Sequence, residues 1–111
     1  MGTENIDWNN GPFATITLDD TANSVTFTER TDGEDVILDA RLLHIRIIQG
    51  SGLLPKTITS WPENVMFAAG SLPGLSLFAG QVDIVQLLEI QVTPEENDYI
   101  YYCMDLKSNF L

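Results

Sequence analysis

Between Phe13 and Leu18, apolar Ala14, Ile16 and Leu18 alternate with Thr15 and Thr17. That period of two marks a half-buried strand, because successive side chains of a strand point to opposite faces. The polar cluster Asp19-Asp20-Thr21-Ala22-Asn23 predicts a turn, and Val25 and Phe27 then alternate with Ser24, Thr26 and Thr28 in a second strand. The two segments are expected to open the fold as a hairpin or meander, with Asp32-Gly33 as the next tight-turn signal. Leu43, Ile45 and Ile47 share one face of a longer strand, whose other face carries His44 and Arg46 alongside Leu42 and Ile48. Gly50-Ser51-Gly52 lets the backbone turn sharply and delivers Leu53-Leu54-Pro55 onto a loop. Lys56 to Trp61 returns as a strand rich in β-branched Thr57, Ile58 and Thr59, and Pro62, which has no amide hydrogen, ends its ladder.

Ala68 to Gly80 holds three glycines and one proline, which predicts an irregular crossover or short edge strands. Asp83 to Val92 has the apolar content of either a buried helix or a strand buried on both sides, and β-branched Ile84, Val85, Ile90 and Val92 favour the strand. Thr93-Pro94-Glu95-Glu96 imitates a helix start, but Asn97-Asp98 and the strand-forming Tyr99-Ile100-Tyr101-Tyr102 limit it to one turn before the last strand. Seven or eight short strands with turn signals between them predict an all-β fold, a single small β-sandwich or jelly-roll-like barrel over residues 13–111. Residues 1–12 carry only Ile6 and Trp8 as apolar anchors and close with Gly11-Pro12, so they are expected to form an extended N-terminal arm.

The stretch from Ile58 to Leu75, with Thr59-Ser60-Trp61-Pro62, Val65-Met66-Phe67, Ala69-Gly70 and Leu72-Pro73-Gly74-Leu75, leads to the Asp-led apolar strand Gln81-Val82-Asp83-Ile84-Val85. This order resembles a block found in small β-sandwich domains of tailed-phage virion proteins, where a strand ends in Thr-Trp-Pro and a Gly-Gly and a Pro-x-Leu follow. Arg41 to Gly50 looks like the strand that leads into it. The chain departs from the pattern in Ser60 between Thr and Trp, in Ala69-Gly70 for the glycine pair, and in Tyr101-Tyr102-Cys103 for Trp-Tyr-Gly. The shared residues form turns and fill cores, so they specify a fold and no reaction. In size the chain is similar to the capsid cement proteins, also called staple or decoration proteins, of short-tailed phages of the epsilon group.

A chain of 111 residues, 44% hydrophobic and 19% charged, is expected to fold as one domain around one core. Sixteen acids against five bases give a net charge of −11, which repels polyanions and argues against nucleic acid or an anionic membrane as partners. The lone Cys103 allows no internal disulfide, the first residues lack the pattern of a signal peptide, and no apolar run approaches the ~20 residues needed to span a bilayer. Synthesis in the host cytoplasm is expected.

No constellation of catalytic residues stands out. His44, the only histidine, reads as a strand-surface residue, because nothing in its spacing sets it beside a nucleophile and an orienting carboxylate. Cys103 lies in an apolar strand without the positive surroundings a reactive thiolate needs. The acidic groups Asp19-Asp20, Asp32 with Glu34-Asp35, and Glu95-Glu96 with Asp98 lack the spacing of a calcium loop, and one His and one Cys are too few for zinc. The expectation is a protein that is not an enzyme, with no metal and no cofactor.

Apolar side chains in places where a lone domain has no use for them point instead to adhesion. They are Ile6 and Trp8 on the arm, Leu53 and Leu54 on the Gly-flanked loop, Leu75, Leu77 and Phe78 in the crossover, and Phe110 and Leu111 at the end. With the resemblance, they imply an external capsid cement protein on the outer surface of a virion, bound to the major capsid protein and to itself as a dimer, or else a trimer. The alternative is a phage fibre tip or a carbohydrate-binding module recognising a host glycan, for which Trp8, Tyr99 and Tyr101 are the available aromatic platform.

Overall fold

The computed structural model of the chain describes residues 2–31, 40–68, 74–76, 78–92 and 98–110, the last five by their backbone only. Eight strands run through them: β1 (Gly2–Asp7), β2 (Phe13–Leu18), β3 (Ala22–Thr28), β4 (Ala40–Gln49), β5 (Thr57–Ser60), β6 (Val65–Met66), β7 (Val82–Gln91) and β8 (Tyr99–Phe110). A 3-10 turn, Trp8–Asn10, joins β1 to β2. The fold is all-β, two sheets packed as a small sandwich, with a three-stranded sheet ordered β1-β3-β5 and a five-stranded sheet ordered β2-β4-β7-β8-β6. No helix in the described residues is long and apolar enough to cross a membrane.

The chain winds between the two sheets. β1 lies in the small sheet and β2 in the large one; β3 returns beside β1 and parallel to it, β4 beside β2 and parallel to it, and β5 beside β3, again parallel. Parallel neighbours need a crossover. For these three pairs the crossover includes a strand of the opposite sheet, so no helix is required. β7 and β8 then run antiparallel between β4 and the short β6. The expected strands at 13–18 and 24–28 are present, but they form no hairpin, since the corner at Asp19–Thr21 carries the chain from one sheet to the other. The buried Asn23 secures that corner, its Nδ2 donating to the carbonyls of Asp20 (2.7 Å) and Thr57 (3.1 Å). The segment from Asp83 to Val92 resolves as strand β7, ending at Gln91. Asp32-Gly33 and the Thr93-Pro94-Glu95-Glu96 turn lie outside the described residues.

The N-terminal segment, expected as an arm, is part of the sandwich. Gly2 to Asp7 pair with Asn23 to Thr28 in strict register, so Ile6 falls on the inner face. Asp7 caps the turn that follows, accepting from the Asn9 amide at 2.9 Å, and Gly11 at φ 123° lets the chain double back into β2. Trp8 is thereby driven into the core with no exposed surface, edge-on to Phe27 at 5.4 Å between ring centroids. Phe27 meets Tyr101 in the same way at 4.9 Å. Around these rings pack Leu43, Ile45 and Ile47 of β4, Val85 and Leu87 of β7, and Ile16 and Leu18 of β2, all buried.

Candidate functional site

Two constructions stand out: an apolar tip at one end of the sandwich and a charged cluster inside it. The tip begins at Gln49, the last residue of β4, which is buried. Its side-chain Nε2 donates to the Lys56 carbonyl at 2.6 Å and its Oε1 accepts from the Lys56 amide at 3.2 Å, closing the loop 50–56 at its base. Its main chain holds a second turn, since Gln49 N donates to Gln81 O and Gly80 N donates to Gln49 O. Gly50 donates to the Leu18 carbonyl at 2.9 Å, an approach so close that a Cβ there would collide with that oxygen. Gly52 at φ 120° and Gly80 at φ 82° take backbone conformations that L-residues avoid. Buried Asp83 anchors the start of the second turn by accepting from the Ser76 amide (2.8 Å) and hydroxyl (2.7 Å), and Phe78 N donates to Gln81 Oε1.

These staples present apolar side chains outward. Leu53 is 101% exposed, Leu54 66% and Phe78 71%. Lys56 folds back to donate from Nζ to the Leu54 carbonyl, so its own side chain is buried. A loop whose base is fixed by such bonds has less entropy left to lose than a free one.

Of the contact residues expected from sequence, the structure thus brings Leu53, Leu54 and Phe78 to one end. Leu75 packs partly buried against the core. Ile6 and Trp8 are core residues, 3% and 0% exposed, and are unavailable to a partner. Phe110 lies on β8, where only its backbone is described, and Leu77 and Leu111 fall outside the described residues. The aromatic platform expected of a glycan binder does not exist either, since Trp8, Tyr99 and Tyr101 are all buried. Trp61, at the rim, is half-buried against Phe67 at 5.6 Å.

The charged cluster lies on the inner face, where the register aligns Arg41, Glu89, Tyr101 and Val65 across β4, β7, β8 and β6. Glu89 has no exposed surface, and its Oε1 accepts from Arg41 Nε at 3.2 Å and lies 3.3 Å from Arg30 Nη2. Arg41 Nη2 also donates to the Trp8 carbonyl at 3.1 Å, which ties the first turn of the chain to β4. The Arg30 guanidinium sits 5.6 Å from the centre of the Tyr99 ring. Asn64 Nδ2 bridges the Glu29 carboxylate and the Tyr99 carbonyl, both at 2.9 Å. Burial, with Glu29 and Glu89 nearby, pushes the Tyr101 hydroxyl far above the ordinary phenol range. Glu89 is closed off from solvent, with two guanidiniums within 3.3 Å of its carboxylate.

Burial lifts the Glu29 carboxyl above its usual range, opposed by hydrogen bonds from Asn64 and Tyr101 and reinforced by the charges of Glu89 and Asp98. A carboxyl raised in the folded state binds its proton more tightly there than in the unfolded chain. Stability therefore falls as pH rises from the ordinary carboxylate value through the raised one, and the penalty is fully present above it. Glu29→Gln is expected to flatten that part of the stability profile in urea titrations run across mildly acidic pH. An unaltered slope would assign the titration to another group.

His44 is half-buried on the outer face of the large sheet, its Nε2 3.1 Å from Gln86 Nε2. The Cys103 thiol is half-buried and its ionisation is pushed up by burial, which makes it a poor nucleophile. Among the described residues no group of three or more His, Cys, Asp or Glu side chains is placed to hold a metal ion. No protein-family model matches the chain, and comparison with curated proteins and with solved structures finds no match.

Proposed function

We propose that the chain is a non-enzymatic structural protein of a phage virion, an external capsid cement or decoration protein that clamps adjacent major-capsid subunits. The observation that carries this reading is the tip: Leu53, Leu54 and Phe78 stand exposed on two loops stapled to the single residue Gln49. Burying one such side chain in a subunit groove contributes about 1.5–3 kcal/mol, a modest contact that repetition over many copies makes effective. The resemblance of the Ile58–Val85 region to virion sandwich domains supports the same assignment. A net charge of −11 suits the outside of a shell, away from packaged nucleic acid.

Purified protein mixed with capsid shells stripped of accessory proteins is expected to co-sediment saturably and to raise the temperature at which the shells rupture. Leu53→Asp loses the leucine contact and places a charge in the groove, so its affinity should fall at least about tenfold. Binding that ignores Leu53→Asp would remove the tip from the interface, and absence of binding to the matching shells would sink the cement reading.

A further inference from the structure

Of the asparagines in the chain, Asn10 alone is followed by glycine. It ends the 3-10 turn between β1 and β2, and it is exposed. The asparagine before it is locked in place. Asn9 Nδ2 donates to Asp7 Oδ1 (2.9 Å) and to the Glu29 carbonyl (3.1 Å), and its Oδ1 accepts from the Thr31 amide (2.9 Å) and hydroxyl (3.2 Å). Asn5, Asn23 and Asn64 are likewise held by side-chain hydrogen bonds. The Asn10 side chain has no such bond among the described residues.

The amide that follows is loosely held. Gly11 N donates to the Trp8 carbonyl at 3.5 Å, the outer limit of a hydrogen bond, and that carbonyl has a better donor in Arg41 Nη2 at 3.1 Å. Gly11 sits at φ 123°, and a Cβ built on it would meet nothing within 4 Å, so the space around its nitrogen is open. A turn closed by one long bond opens at little cost, as exposed segments with few contacts do. The chain is tied down again just beyond it, where His44 N donates to the Pro12 carbonyl at 2.9 Å. Asn10 and Gly11 therefore span two attachments to β4, one at Trp8 and one at Pro12.

We propose that Asn10 is a self-modifying site, whose amide converts in the folded protein to aspartate and isoaspartate. Gly11 N gives up its proton to water or hydroxide and attacks Asn10 Cγ. The new N–Cγ bond closes a succinimide ring, the Cγ–Nδ2 bond breaks, and ammonia leaves with the proton returned to it. Water then opens the ring at either carbonyl. Attack at Cγ restores the ordinary main chain with an aspartate side chain. Attack at the main-chain carbonyl routes the backbone through Cβ and Cγ, which lengthens it by a methylene. Water is the sole co-reactant, and glycine permits the ring because it has no side chain to block the approach. Either product makes a chain of net charge −11 more negative by one carboxylate. Isoaspartate also adds slack between the attachments at Trp8 and Pro12, so β1 and the turn that seats Trp8 loosen from β4. The reaction depends on the turn alone and is independent of the cement reading.

Folded protein is incubated in warm, neutral to mildly alkaline buffer and mapped by peptide mass spectrometry, beside the same chain unfolded in urea. The Asn10 amide is expected to turn into acid before that of any other asparagine. Its rate should rise with pH and stay within about tenfold of the unfolded chain, since the turn opens at small cost. Mapping separates this change from Asp32-Gly33, whose isomerisation leaves the mass unaltered. Converted chains are then resolved by anion exchange through their added charge. The isoaspartate form is expected to exchange the amide hydrogens of β1 and the turn at least about tenfold faster than the unmodified protein. Asn10→Asp, which has the same charge on an ordinary backbone, should exchange like wild type. An Asn10 amide that survives after the unfolded chain has converted, or another asparagine that converts first in the folded chain, would overturn the proposal. Equal exchange in the isoaspartate form and in Asn10→Asp would overturn the loosening of β1.

Discussion

Trp8→Ala is expected to lower the unfolding free energy by about 3–5 kcal/mol, the usual cost of emptying a large aromatic site in a core. The indole has no exposed surface, and its ring is held edge-on by Phe27, which in turn meets Tyr101. Losing it opens a cavity in the core where the first turn packs against Phe27. Since domains of this size are stable by only about 5–15 kcal/mol, the variant should be largely unfolded at moderate denaturant concentrations. Urea titration followed by circular dichroism measures the change. A loss below about 1 kcal/mol, the level of an ordinary surface substitution, would mean that the indole contributes nothing to the core.

Arg41→Ala is expected to cost about 3 kcal/mol, because it leaves the Glu89 carboxylate buried with Arg30 as its remaining cationic partner. The same substitution frees the Trp8 carbonyl, which accepts from Arg41, and so loosens the turn between β1 and β2. Much of the penalty comes from the stranded charge, which a second substitution can remove. Adding Glu89→Leu should therefore recover at least about 1 kcal/mol of what Arg41→Ala loses, a coupling that a double-mutant cycle reads directly. Additive losses from the two changes would show that the ion pair does not act as a unit.

The large sheet was legible in the sequence wherever alternation is strong. Leu43, Ile45 and Ile47 identify the inner face of β4, and the β-branched content of residues 83–92 separates strand from helix. β1 was not legible, since Gly2 to Asp7 holds one apolar residue on the core side. It is held by parallel pairing to β3 and by side-chain bonds along the outer surface, Thr26 to Asn5 and Asn5 to Thr28. The missed hairpin has a related cause, because Asp19-Asp20-Thr21 announces a change of direction and carries no information about which sheet receives the chain.

The candidate site divides in the same way. Glycines on either side of Ser51 marked the loop that carries Leu53 and Leu54, since sharp turns leave a compositional trace. The staple at Gln49 left none, because its amide bonds to the backbone of Lys56 and any residue there offers the same groups. Glu89 reads along the chain as a polar interruption of an apolar strand, and its partner Arg41 is 48 positions away. The outer face of the large sheet had one sequence signal, the apolar run through β7 on both sides.

The winding of the chain between sheets sets conditions on its synthesis. Among the described strands, β7 and β8 are the one pair adjacent in sequence that also share a ladder of hydrogen bonds; β1 waits for β3, β2 for β4, and β3 for β5. Chains dominated by distant pairings fold slowly, because the entropy of closing each loop is lost before any contact rewards it. A ribosome emitting this chain from its first residue releases strands with no local partner until the last two have emerged. The five-stranded sheet therefore closes only after β7 and β8 have been made, and until then β2 and β4 lack the rest of their sheet.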